Sequence, residues 1–144
     1  MPKRAEPSLL PAVERIVVAS VAATARALVE VAPQLTFLQW RLLVLVDTPD
    51  GVSVGALGAS IGSKIAAMSR LVGRLRNRGL VRTQRSPDDA RIVLVRLTDA
   101  GRDLRTRVVT RRRAELAAAI DAAALPTDAA DVATTLASLL EGLG

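Results

Sequence analysis

The chain has 144 residues, 50% hydrophobic and 24% charged, with 20 Lys+Arg against 14 Asp+Glu; that length suits one domain or one core with an arm, and that balance argues against disorder as the main state. It contains no cysteine and no histidine, which excludes disulfides, thiolate nucleophiles, Cys-ligated zinc, thiol redox switching and imidazole chemistry. The net charge of +6 is uneven, since residues 1–50 carry five basic and five acidic groups, 101–144 carry six and six, and 51–100 carry nine and three.

In chain order, the first predicted helix runs from about Ser8 or Leu10 to Ala32, where Pro33 supplies no amide donor to continue it. Lys3 and Arg4 ahead of the apolar run Ile16 to Ala25 look superficially like a secretory signal. Glu6, Glu14 and Arg15 interrupt that pattern, however, and Val13, Val17, Val21, Thr24, Leu28 and Val31 carry helical spacing past the supposed cleavage point. An intact amphipathic helix and a cytoplasmic chain are therefore expected. The middle of this helix is apolar nearly all round, which points to burial against a second chain. No membrane span is expected, because the longest uncharged run, Gly51 to Ser63, is short and broken by glycines.

Thr36 is placed to cap a second helix, with Gln39 completing a capping box and Leu35 set to staple against Trp40. This helix is predicted to end near Val46, at the turn Thr48-Pro49-Asp50-Gly51. Ser53 caps a short third helix to about Ser60, weakened by about 1 kcal/mol at each of Gly55 and Gly58. Gly62 and Ser63 turn into a fourth helix from about Lys64 to Arg78, closed by Gly79. Two short helices across a glycine-containing turn make a helix-turn-helix.

At about 100° per residue, Ile65, Met68, Leu71, Val72 and Leu75 fall on one side of the fourth helix. Ser63, Ala66, Ala67, Arg70, Gly73, Arg74 and Arg78 fall on the other. Small residues beside arginines would let the backbone approach a DNA groove while Arg70 and Arg74 reach its floor or walls. Between Lys64 and Arg85 there are seven cations and no acidic residue; a polyanion-binding surface is one reading and a solvated helix face the other.

Leu80–Arg85 and Ile92–Leu97 are β-branched, partly alternating pieces around the turn-rich Ser86-Pro87-Asp88-Asp89-Ala90-Arg91, and a hairpin directly behind a helix-turn-helix is a winged helix. Arg91 is placed either to enter a minor groove or to pair with Asp88 or Asp89, and both hold if the carboxylate positions the guanidinium. The expected fold class is therefore mainly α with a small β-hairpin wing. Thr98 then caps a long helix to about Ala123, with Asp99 at its positive end and Leu104, Val108, Leu116 and Ile120 in one stripe. Arg111-Arg112-Arg113 on it read as phosphate contacts or, preferably, as a solvated face balanced by Asp103, Glu115 and Asp121. Pro126-Thr127 open a last helix whose Val132, Leu136, Leu139, Leu140 and Leu143 form a stripe, either a dimer seam with the first helix or the core of a lone chain.

Leu35-Thr36 leading to Gln39-Trp40, Ser69-Arg70-Leu71-Val72 with Leu75, Gly79-Leu80-Val81, Asp89-Ala90-Arg91 and Leu97-Thr98-Asp99-Ala100-Gly101 follow one another in a familiar order and spacing. Over residues 35–101 the chain resembles the MarR family of bacterial winged-helix transcriptional regulators. The resemblance implies a winged helix-turn-helix at 35–98 flanked by dimerisation helices at 1–34 and 99–144. It further implies a homodimer on a pseudo-palindromic double-stranded DNA operator, usually as a repressor, released by a small anionic or phenolic effector bound between the two regions. The recognition helix it implies is Lys64 to Arg78, with DNA contacts at Ser63, Lys64, Ala66, Ala67, Ser69, Arg70 and Arg74, and a wing arginine, Arg91, partnered by Asp89.

Departures from the family pattern fall at Ala56 and Gly58, where Glu-Leu-Ala is common, which loosens the third helix. Lys64 and Ile65 replace a common capping Ser and a Pro, Ala66 and Ala67 offer bases no hydrogen bonds, and Ala90 replaces a frequently basic wing residue. An apolar effector pocket is expected between the first, fifth and sixth helices, although one Phe, one Trp and no Tyr leave few groups to stack a ligand.

One enzyme signal, Gly58-Ala59-Ser60-Ile61-Gly62, spells G-x-S-x-G. A nucleophile elbow needs a preceding strand, an oxyanion hole and a histidine base, and the chain has no histidine. Asp88 and Asp89 likewise read as turn chemistry rather than a metal site, so no catalysis, cofactor or metal is expected. Two function classes remain: a sequence-specific, ligand-responsive repressor, and a winged-helix-derived interaction or scaffold protein with weak or non-specific DNA binding.

Overall fold

The second helix begins where the sequence provides a reciprocal cap. Thr36, in extended backbone, accepts the Gln39 amide at 3.2 Å through its hydroxyl, and Gln39 Oε1 accepts the Thr36 amide at 2.9 Å, so two otherwise orphaned donors are satisfied at once. Around this cap the computed structural model, which describes residues 9–122 together with 130, 131, 133, 134, 137 and 138, has eight elements. They are α1 (Leu9–Val31), α2 (Phe37–Leu45), β1 (Val52–Ser53), α3 (Val54–Ile61), α4 (Ile65–Asn77), β2 (Val81–Arg85), β3 (Val93–Leu97) and α5 (Asp99–Ala122). Of the helix expected from Pro126, residues 130, 131, 133, 134, 137 and 138 are helical, while its start and its stripe Val132, Leu136, Leu139, Leu140 and Leu143 lie outside the described residues. The chain divides into two compact units, Met1–Arg112 and Arg113–Gly144. The packing below is that of the first; in the second, Leu116 is half-buried and Ile120 exposed on α5.

The fold is mainly α with a small antiparallel sheet, as expected, but the sheet has a third strand. β1 pairs with β3 through Val52 opposite Val95 and Ser53 opposite Leu94, giving the order β1-β3-β2. Two residues are too few to show alternation, so β1 leaves no periodic signal in the sequence. Ser53 then serves two elements, ending β1 and capping α3 by accepting the Ala56 amide at 3.1 Å.

The turn between α3 and α4 depends on two glycines. Gly62 takes the left-handed conformation at φ 69° as the α3 C-cap, which a side chain resists. Gly58 sits where an added Cβ would lie 2.8 Å from the Ser63 carbonyl oxygen, and its own carbonyl accepts the Ser63 amide at 2.8 Å. Gly58 is thus a close-approach residue that seats α3 against the turn, and not the loosening substitution expected from sequence.

At the other end of the wing, Thr98 holds α5 to the α4–β2 connection. Its hydroxyl donates to the Gly79 carbonyl at 2.5 Å and accepts the Gly101 amide at 3.1 Å, while its amide donates to Leu80 O at 3.1 Å. A Cβ on Gly101 would collide with that same Leu80 carbonyl. This accounts physically for Leu97-Thr98-Asp99-Ala100-Gly101.

The core joins Ala27 and Leu28 of α1, Ala32 just beyond it, Trp40, Leu42 and Leu43 of α2, Leu57, four residues of α4, Val81, Val95, Leu97 and, from α5, Leu104 and Val108, with Val52 of β1 packed against it. Leu35 and Trp40 are both buried in it, as a hydrophobic staple requires. On α1, Thr24 and Leu28 are buried but Val17 and Val21 stand 50% and 48% exposed, with Ala23 and Ala27 buried instead, followed by Ala32 just past the helix. That helix continues unbroken through Ala23–Ala25. Among the described residues no helix is long and apolar enough to cross a membrane.

Candidate nucleic-acid interface

Met68, Leu71, Val72 and Leu75 are buried, each worth about 1.5–3 kcal/mol relative to exposure, and they fix α4 with its opposite side outward. On that side Lys64, Ala66, Ser69, Arg70 and Arg74 are exposed, and Ser63 and Ala67 are half-buried. No acidic residue lies on α4. Lys64 occupies the N-cap without a side-chain cap hydrogen bond, and the last turn carries Arg74 and Arg76.

Two residues depart from the helical-angle reading. Ile65, assigned by angle to the core side, is 63% exposed, because the buried stripe of α4 begins one turn later at Met68. Arg78, assigned to the outer side, turns back to the α1–α2 junction, where its Nη1 donates to Gln34 O at 3.1 Å and to Gln39 Oε1 at 3.5 Å.

The wing is held by its own side chains and backbone. Arg85 donates to the Ala90 carbonyl, Ser86 N donates to Ile92 O at 2.8 Å, and Ile92 N donates to Asp89 O at 2.9 Å. The two candidate partners of Arg91 separate here. Asp88 places its amide on Ser86 Oγ at 3.3 Å, whereas Asp89 accepts Arg91 N at 2.9 Å, Nε at 3.1 Å and Nη2 at 3.0 Å. This fork holds the Asp89 carboxyl below the usual carboxylate range, chiefly through the Arg91 side-chain hydrogen bonds and then the Arg91 amide. The Arg91 side chain remains 91% exposed, so it is oriented and still available.

The basic middle third therefore resolves into separate tasks. Arg70 and Arg74 face outward, Arg78 ties α4 to the α1–α2 junction, and Arg85 closes the wing. Arg82 stands directly opposite Arg96 across β2 and β3, a like-charge pair that costs stability unless counter-ions or a polyanion screen it. Arg111 forks onto Glu30 of α1 at 2.5 and 2.8 Å, a pairing across helices that the sequence did not indicate, and that hydrogen bond lowers the Glu30 carboxyl. Ser60 of the G-x-S-x-G string lies inside α3 with its hydroxyl donating to Ala56 O at 3.0 Å, not at a strand-to-helix elbow.

Two hollows are formed, one at this surface and one away from it. One, about 440 Å³, opens between α4 and the wing and is lined by Ile65, Ser69, Val72, Arg76, Thr83 and Arg91 among others. The second, about 250 Å³, lies among α1, α2 and α5 and is lined by Ser20, Val21, Thr24, Phe37, Trp40, Arg41, Val44 and Arg112. Sequence reasoning did not assign α2 to such a pocket, yet α2 supplies both aromatic residues of the chain. Arg112 Nε is buried there with no hydrogen-bond partner among the described residues, a costly state for a charged donor unless an acceptor arrives.

Residues 34–92 match the family model of the MarR family. The uncharacterised HTH-type transcriptional regulator YdgJ of Bacillus subtilis is 40% identical over 63 residues, 44% of this chain and 38% of that protein, so the chain spans under two fifths of that relative's length. RV1404 from Mycobacterium tuberculosis superposes with a TM-score of 0.77 at 27% identity, over 96% of this chain and 95% of that one. CouR from Rhodococcus jostii RHA1, solved bound to p-coumaroyl-CoA, superposes with a TM-score of 0.70 at 24% identity, over 98% and 95%.

Proposed function

Through residues 34–92 the chain belongs to the MarR family, and from that premise we propose that it is a cytoplasmic, homodimeric, sequence-specific DNA-binding regulator that represses transcription until a small ligand releases it. The observation that carries this reading is the outer side of α4, where Arg70 and Arg74 stand exposed among small residues with no acid on the helix, beside a wing arginine oriented by Asp89. In a dimer the two recognition helices enter successive major grooves about 34 Å apart, with Ser63, Lys64, Ala66, Ala67, Ser69, Arg70 and Arg74 along the groove and Arg91 in the flanking minor groove. Exposed Ile16, Val17, Val18 and Val21 on α1 supply apolar surface for the second subunit.

The effector reading draws on the hollow among α1, α2 and α5. Phe37 and Trp40 offer ring faces, and Arg41 and the unpartnered Arg112 Nε offer positive charge. An aromatic carboxylate or a related anionic acyl compound fits that chemistry, in keeping with the p-coumaroyl-CoA held by CouR.

Titration against the DNA upstream of its own coding region and against a scrambled duplex, at several salt concentrations, tests the proposal. The regulator reading expects two chains per duplex and a preference on the order of 1,000-fold or more that survives moderate salt. No preference, with only an electrostatic salt slope, would overturn it and favour an interaction protein that kept the fold.

A further inference from the structure

Ile65 has no structural employment in the fold. It is the first residue of α4 and 63% exposed, it lies outside the core cluster, and β-branched isoleucine is only a middling helix former. A single exposed isoleucine is ordinary, but the surroundings of this one are not. It stands at the N-terminal turn of the helix, the end that meets base edges when a helix-turn-helix docks. Its neighbours Ala66 and Ala67 have no hydrogen-bonding side-chain atoms, and the Ser63 hydroxyl turns back to Lys64 O at 3.5 Å. The tip of the helix is therefore apolar. Cations bracket it, with Lys64 and Arg70 on either side along the chain and Arg91 across the hollow that Ile65 lines, so phosphate contacts would press this apolar tip against the duplex.

In the major groove the one apolar group that a base edge presents is the 5-methyl of thymine. We infer that Ile65 is a specificity-determining residue that reads thymine, its side chain packing on the 5-methyl group of one thymine in each half-site. The inference rests on the DNA-binding reading above. Discrimination at that base pair then comes from burying a methyl group, and the absence of hydrogen-bonding side chains at Ala66 and Ala67 is part of the recognition surface.

Selection from a random-sequence duplex library supplies the probe, and the enriched duplex is remade with deoxyuridine for thymine, one symmetric pair at a time. That change removes a methyl and alters no hydrogen bond. At one symmetric pair the wild-type chain is expected to lose about fourfold in affinity per methyl, hence on the order of tenfold for the two half-sites. Ile65→Ala, whose helix content is checked by circular dichroism, binds the thymine and uracil duplexes alike. Specific binding that is indifferent to uracil at every position overturns the inference and leaves the DNA reading standing. A uracil penalty that persists unchanged in Ile65→Ala also overturns it, by assigning the methyl to another residue. A library with no enriched sequence overturns the DNA reading itself, and the role of Ile65 with it.

Discussion

An exposed ion pair adds little to stability, so the fork between Arg91 and Asp89 matters for orientation. Its two side-chain bonds at 3.0 and 3.1 Å hold the guanidinium plane on a side chain otherwise open to solvent. Arg91→Ala is expected to lower the slope of log affinity against log salt by about 1, read by anisotropy on the upstream duplex. Asp89→Asn removes a negative charge and the fork together, so its slope stays level or steepens while the preference over scrambled DNA falls; an Asp89→Asn chain as selective as wild type would deny Asp89 the positioning role. The same carboxylates set the pH response. Asp89 and Glu30 are both held below their ordinary values, so their contribution is fully present above the unfolded carboxylate range and is lost only as pH falls through the lower folded values. With no histidine to titrate, stability and DNA binding are expected to be flat between about pH 6 and 8, and a step there in either thermal melting or anisotropy would contradict this assignment.

At the scale of elements, α4 carries a glycine that the fold does not require. A Cβ on Gly73 would meet nothing within 4 Å, and glycine in a helix interior costs about 1 kcal/mol relative to alanine. Gly73→Ala is therefore expected to raise stability by up to about 1 kcal/mol, measured by urea unfolding. It weakens DNA binding in the same protein, because an added methyl stands between the helix backbone and the groove; a stabilised chain with undiminished affinity would show that Gly73 does not face the duplex. Comparison of elements also shows what sequence reveals. Local spacing left Arg91 between Asp88 and Asp89, and only the family resemblance named Asp89, whereas the Thr36–Gln39 cap and the Gly62 turn were legible because their geometry is local. β1 was not, since its existence depends on Leu94 and Val95, some forty residues away. Angular arithmetic misplaced Ile65 and Arg78 for one reason: it gives the side of a helix but not where the neighbouring core ends. The clustering of both aromatics in one hollow was illegible too, because it needs the packing of α1, α2 and α5.

At the scale of the molecule, the α1–α2–α5 hollow and α4 are joined by a short physical route. Trp40 lines the hollow, its neighbour Gln39 completes the α2 cap, and Gln39 Oε1 with Gln34 O receives Arg78 from the C-cap of α4. A ligand that shifts α2 thus acts on the anchor of α4. Because Trp40 is the single tryptophan and there is no tyrosine, its emission reports occupancy of the hollow directly. Benzoate, a minimal aromatic carboxylate, is expected to change that emission saturably and to weaken binding to the upstream duplex. DNA must weaken benzoate binding by the same factor, since coupling is reciprocal. Arg112→Gln is expected to lose about tenfold or more in benzoate affinity, the weight of one hydrogen bond to a charged group, with little change in thermal stability because Arg112 Nε has no partner to lose among the described residues. Arg78→Met separates transmission from binding: benzoate still alters Trp40 emission and DNA still binds, but the factor linking them falls toward one. If that factor is unchanged in Arg78→Met, the signal passes by another route; if benzoate saturates Trp40 in the wild type and operator affinity does not move, the hollow binds without regulating, and ligand release is no part of this protein's function.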